Sequence, residues 1–187
     1  MKKLIAISFT VVIFAAASFV PAYAGWNPLK TAKAEDQKVK NRKVAEAIAN
    51  FKNSDPSMKV FFDKAYGYAV FPTVAKGGFG IGGAYGEGEV FKKGKLIGFS
   101  SLTQVTIGFQ LGGQAYSEII FFKDKKTLDD FKGGNFEFGA QASAVAATAG
   151  VSADADYNNG VAIFTIAKGG LMYEASVGGQ KFSYDPK

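Results

Sequence analysis

Residues 78–88 read Gly78-Phe79-Gly80-Ile81-Gly82-Gly83-Ala84-Tyr85-Gly86-Glu87-Gly88. In extended chain, successive side chains point to opposite faces. The even positions then carry Gly78, Gly80, Gly82, Ala84, Gly86 and Gly88, a face almost without side chains. The odd positions carry Phe79, Ile81, Gly83, Tyr85 and Glu87. Glycine weakens a strand by its entropy and by having nothing to pack. A run of it implies close approach by another backbone, a helix or a ligand. The favoured occupant of this floor is an N-terminal helix, through Phe61, Phe62 or Phe51, because apolar helix faces must be buried somewhere. The other option is an acyl-chain groove, with the small residues Ala140 to Ala149 nearby.

Outward from this stretch, most of the chain reads as β. Gly67 to Phe71 is an apolar strand stopped at Pro72, and residues 77–91 form the bald strand. Lys92-Lys93-Gly94-Lys95 is a hairpin turn onto Leu96 to Leu102. Val105 to Gln110 and Tyr116 to Phe122 follow, then a short helix with Leu128 and Phe131 inward. Asn135 to Val151 is read as a long small-residue strand. Asn158-Asn159-Gly160 is a turn signal, and Val161 to Ala167 and Leu171 to Phe182 complete the set. Phe79, Ile81, Tyr85, Phe91, Phe99 and Phe109 are expected in the core.

Upstream, Val44, Ala47, Ile48 and Phe51 make one apolar stripe at helical spacing within residues 28–52. Ser54 or Asp55 caps a second helix with Pro56 in its first turn, burying Met58, Phe61, Phe62 and Ala65. The expected class is α+β: N-terminal helices on a glycine-rich antiparallel sheet of about seven or eight strands, with barrel-like closure as an option.

The 187 residues divide into three segments. Residues 1–24 have the form of a signal peptide: basic Met1-Lys2-Lys3, apolar Leu4 to Ala17, and a small-x-small site at Ala22-Tyr23-Ala24. Residues 25–53 form a basic helical segment, and 54–187 a β-rich domain. An exported protein, periplasmic or secreted and peripheral on a membrane, is the implied localisation. The chain has no cysteine and no histidine. That removes disulfides, a lipidated-cysteine anchor, Ser-His-Asp and Cys-His nucleophiles and histidine-bearing zinc sites. Net charge is +6, and loss of Lys2 and Lys3 with the signal lowers it by two. A mild basic excess favours anionic surfaces. No nucleic-acid recognition motif is visible.

Motifs that spell chemistry mostly fail on context. Gly78-x-Gly80-x-x-Gly83 matches a dinucleotide fingerprint, but no helix can start in Ala84-Tyr85-Gly86-Glu87-Gly88. Asp154-x-Asp156-x-Asn158 resembles a calcium loop, but glycine comes late and Thr165 stands at the twelfth position. Glu87 and Glu89 share a strand face, and Glu118, Glu137 and Glu174 lie in β segments. None has a second catalytic group placed beside it, so the chain reads as no enzyme and calls for no cofactor. A carboxylate enzyme using Glu118 or Glu174 is the remote alternative. Lys76-Gly77-Gly78 can present an ammonium and free N–H groups to a phosphate, with Gly80 and Gly82 beyond it. Lys64 and Lys59 precede the sheet. Ordinary solvated turn lysines look the same.

The run from Tyr66 to Gly86, beginning Tyr66-Gly67-Tyr68-Ala69-Val70-Phe71-Pro72-Thr73-Val74-Ala75-Lys76-Gly77-Gly78, resembles the signature of the SYLF domain family. Gly108-Phe109-Gln110-Leu111-Gly112-Gly113-Gln114 is similar to its second glycine-rich block. Gly169-Gly170-Leu171-Met172-Tyr173-Glu174 and Gly178-Gly179-Gln180-Lys181-Phe182 resemble its C-terminal block. The resemblance spans about residues 40 to 184 and implies non-enzymatic binding of phospholipid. Phosphoinositides and actin are partners of eukaryotic members and do not suit an exported protein. What carries over is affinity for an anionic phospholipid or membrane surface, with Lys76, Lys64 and Lys59 on the head groups. A small outer-membrane β-barrel or an envelope structural protein is the alternative.

Overall fold

The computed structural model describes residues 28–79, 81–107, 112–134, 136, 138, 144–169 and 177–187. The signal-like segment, Gly80 and most of Asn135–Ser143 lie outside these, as do Leu171 to Ser176. Helix α1 (Pro28–Ser54) is followed by a 3-10 turn at Pro56–Met58 and by α2 (Lys59–Lys64). Strands β1 (Gly67–Phe79), β2 (Ile81–Lys92), β3 (Lys95–Ile107) and β4 (Gly112–Phe122) come next. Then follow α3 (Lys125–Lys132), β5 (Val145–Ala146), a 3-10 turn at Val151–Asp154, β6 (Val161–Gly169), β7 (Gln180–Phe182) and β8 (Asp185–Pro186). The sheet order is β5-β6-β4-β1-β2-β3-β7, with β8 also on β3. All pairings are antiparallel except β5 with β6. The fold is α+β.

The sheet curls without closing into a barrel, and its inner face holds the larger core. Phe71, Val74, Leu102, Ile120, Phe122, Phe131 and Phe182 meet there. Gln180 on β7 reaches Glu118 on β4 across this interior, although β1, β2 and β3 lie between them in the sheet. A membrane barrel turns its apolar row outward to lipid. Here the sheet is open and its outward apolar row is covered by α1 and α2, so it offers no support for the barrel alternative.

Two expectations about β1 and β2 are corrected. Pro72 does not end β1. It sits in a bulge, where the register to both neighbours shifts between residues 70 and 74, and a bulge is where a central strand tolerates proline. The Ser117 hydroxyl donates to the Pro72 carbonyl at 2.8 Å. The glycine run is also not one strand: Gly78, in β1, pairs with Gly82, in β2.

The bald face is real, but no N-terminal helix lies on it. Gly82, Ala84, Gly86 and Gly88 are all buried, and Ala84 belongs to the inner core. A methyl group at Gly88 would meet the Val70 carbonyl oxygen at 2.5 Å and the Phe71 ring at 2.7 Å. At Gly86 it would meet the Val74 side chain at 2.9 Å. The neighbouring strand's own side chains therefore fill the floor.

Helices α1 and α2 pack on the opposite face of the sheet, while α3 adds Leu128 and Phe131 to the inner core. Val44, Ala47, Phe51, Met58 and Phe61 join Tyr68, Val70, Ile119, Phe121 and Phe164 in a second core. Burial of such apolar side chains contributes roughly 1.5–3 kcal/mol each. On β2, Tyr85 is 52% exposed, contrary to its expected core place; Phe91 on β2 and Phe99 on β3 are half-buried. The expected long strand over 135–151 reduces, among the described residues, to Val145–Ala146.

Candidate functional site

Three polar regions stand out among the described residues: the cleft beside α2, the groove under α1, and the inner wall of the sheet. The first begins with a helix cap. Asp55 has extended backbone and accepts from the Ser57 N–H at 3.0 Å, which starts the 3-10 turn at Pro56. The same carboxylate accepts from the Gly150 N–H at 3.1 Å and the Ser152 N–H at 2.8 Å. The Ser57 and Ser152 hydroxyls bond each other at 2.6 Å. Burial opposes the Asp55 charge, but the hydrogen bonds from Ser57, Ser152 and Gly150 outweigh it and hold the carboxyl down to about 2. Asp55 thus fastens the start of α2 to the 151–154 turn from far along the chain.

Between these fastened walls lies a cleft of about 580 Å³. Ser57, Lys59, Val60, Lys64, Asp156 and Tyr157 line it. Lys59 is tied to Asp63 one helical turn on. Lys64 has no ion pair among the described residues. Val60 is 52% exposed, and Val151 on the facing turn 42%. The Tyr157 ring packs on Phe61, with centroids 5.4 Å apart, and its hydroxyl is buried without a hydrogen-bond partner.

A groove of about 650 Å³ runs between α1 and strands β2 and β3. Lys40 bridges to Glu87 at 3.0 Å and to Asp36 at 3.1 Å. The Tyr85 hydroxyl donates to Glu87 at 3.0 Å. Beside them Glu89 is buried, and burial raises its carboxyl above the ordinary range. Cations and carboxylates are intermixed here, and the best-placed lysine is already taken.

The inner wall carries a polar cluster among its aromatics. The Gln180 amide donates to Glu118 at 3.0 Å and to the Tyr116 hydroxyl at 3.2 Å. Burial pushes the Glu118 carboxyl up to about 8, against the opposing hydrogen bond from Gln180. At neutral pH this carboxyl keeps its proton. Lys76 belongs to this wall. It follows the parity of Val74, lies opposite Ala84 and Gln114, and is only 6% exposed. No carboxylate pairs with it among the described residues, and burial pushes its ammonium below its ordinary value.

The three lysines singled out in the sequence therefore do not converge. Lys59 and Lys64 share the outer cleft, while Lys76 sits inside the sheet. Gly77 and Gly78 follow Lys76 on β1, Gly82 is buried on β2, and Gly80 lies outside the described residues. Glu118 meets Gln180 and Tyr116 rather than a second carboxylate. Glu137 and Glu174 lie outside the described residues. Sequence reasoning missed Asp156, Tyr157 and the 151–154 turn, whose nearness to Lys64 depends on long-range packing at Asp55.

Over residues 103–187 the chain matches the family Ysc84, described as Las17-binding protein actin regulator. It is 34% identical over 161 residues to Beta cell expansion factor A of Aeromonas veronii, an alignment covering 85% of this chain and 60% of that protein. The chain thus spans 60% of the length of the curated relative it matches.

Proposed function

Because this chain belongs to the SYLF (Ysc84) family, a family of lipid-binding domains, we propose that it is an exported, non-enzymatic protein that binds anionic phospholipid on a membrane surface. The supporting observation is the outer cleft, where Lys59 and Lys64 stand beside the exposed Val60. Lysine next to exposed apolar surface suits a bilayer interface. The cation gains about 1 kcal/mol near anionic lipid, and the apolar group gains by leaving water. The charged run of α1, with Lys33, Lys38, Arg42 and Lys43, adds long-range attraction. An exported protein does not meet cytoplasmic actin, so the actin role in the family's description is not carried over.

Vesicle flotation tests this reading. The protein is expected to float with phosphatidylcholine vesicles that contain phosphatidylglycerol, and to be released by high salt, which screens exposed charges. Equal flotation with phosphatidylcholine alone, or none with either, would overturn it.

A further inference from the structure

Resting on that reading, we infer that the cleft between α2 and the 152–157 segment seats the phosphate of one membrane glycerophospholipid, with Val60 at the acyl boundary. Four observations converge. The cleft is large enough for a head group, at about 580 Å³. Lys64 enters its lining without a carboxylate partner among the described residues, and Lys59 stands beside it. Val60, one of the five large hydrophobic side chains exposed among the described residues, lies in its lining. Finally, the Tyr157 side chain lines the cleft and is backed by Phe61, which gives the site a firm inner wall.

The Asp55 bonds to Ser57, Gly150 and Ser152 fix both walls before any ligand arrives, so little ordering is left for binding to accomplish. Asp156 is the one unfavourable charge in the lining. Lys59 partly neutralises the other nearby carboxylate, Asp63. The sign of the Asp156 effect therefore reports the sign of the ligand.

The test is flotation of the full chain with the same two vesicle types, using Lys64→Glu, Val60→Asp, Asp156→Asn and Tyr157→Phe. Lys33→Glu, on α1 and away from the cleft, is the control for general charge. Thermal melting of each variant confirms the fold. Lys64→Glu and Val60→Asp are expected to weaken binding about tenfold or more, and Lys33→Glu clearly less. Asp156→Asn is expected to strengthen binding a few-fold. Tyr157→Phe keeps the ring in the lining and is expected to bind as wild type does, with an unchanged or higher melting temperature, since the buried orphan hydroxyl is removed.

If wild type binds but Lys64→Glu is no worse than Lys33→Glu, the cleft is not the site, while the membrane reading stands. Weaker binding by Asp156→Asn would also overturn an anionic occupant. Displacement from vesicles by inorganic phosphate, where sodium chloride at the same ionic strength does not displace, would identify a free-phosphate site and overturn the lipid source. Absence of wild-type binding to either vesicle would overturn both readings together.

Discussion

Lys64 and Lys76 are separated by little more than part of β1, yet they occupy different media. Lys64 ends α2 and faces an open cleft, whereas Lys76 lies on the inner wall of the curled sheet, 6% exposed. The difference follows from parity. Beyond the bulge at Pro72, the side chains of Val74 and Lys76 point inward and those of Thr73 and Ala75 outward. A lysine on the outer cleft can meet an anion at the cost of little desolvation. A lysine on the inner wall must first lose its water with nothing to replace it. The same contrast separates the carboxylates: Asp63 is ion-paired on the surface, while Glu118 is buried and uncharged at neutral pH.

The largest effect expected from this contrast is at Gly88, because the inner wall has no spare volume. Gly88→Ala places a methyl group against a backbone carbonyl and the fixed Phe71 ring. Overpacking typically costs 1–3 kcal/mol, and with backbone as one partner a loss of about 3 kcal/mol or more is expected. Gly83→Ala, on the same strand but facing out, meets only the Gln104 carbonyl at 3.5 Å. That variant is expected to melt within a degree or two of wild type. Equal losses at both positions in denaturant titration would remove the distinction between the faces.

Glu118 sharpens the contrast through pH. Its folded value of about 8 lies above its ordinary 4.5. A raised value means that the group's contribution to stability is complete below about pH 4.5 and is lost as pH rises toward 8. Glu118→Gln cannot ionise and is expected to abolish that slope. The variant should gain about 2 kcal/mol over wild type at pH 8, once relaxation of the buried site is allowed for. Parallel pH–stability curves for the two proteins would show that the carboxyl is not held neutral by the inner wall.

Much of this arrangement is legible in the chain. Alternation in 78–88 gives a bald face, the Asp55-Pro56 pair gives a helix start, and Val44, Ala47 and Phe51 give the packing stripe of α1. What fills the bald face is not legible, because Val74 reaches it only past a bulge that reverses the parity of β1. Pro72 reads locally as a stop, and only Ser117, from another strand, makes it tolerable in mid-sheet. The cleft is hidden for a similar reason. Asp55 reads as a cap, and nothing near it announces bonds to Gly150 and Ser152. Lys76, flanked by alanine and two glycines, looks like a turn lysine. Its spacing of two from Val74 is the one local signal that it points inward.

The smallest effect expected is also the most direct test of whether the two lysine environments are separate. Lys76→Met keeps length and flexibility while removing the charge, and methionine fills irregular apolar space well. Burial lowers the Lys76 value below 10.5, so the charged form opposes folding. That penalty is complete below the folded value and fades as pH rises toward 10.5, where the unfolded chain also loses its proton. Lys76→Met is therefore expected to gain about 1 kcal/mol at neutral pH, with the gain shrinking in alkaline buffer. Its flotation with phosphatidylglycerol vesicles is expected to match wild type, because Lys59 and Lys64 remain in place. If Lys76→Met instead stays as stable as wild type at every pH and loses vesicle binding as Lys64→Glu does, the inner wall takes part in lipid recognition. The glycine-lined floor opposite Lys76 would then be where a lipid approaches, and the two environments would be parts of one site.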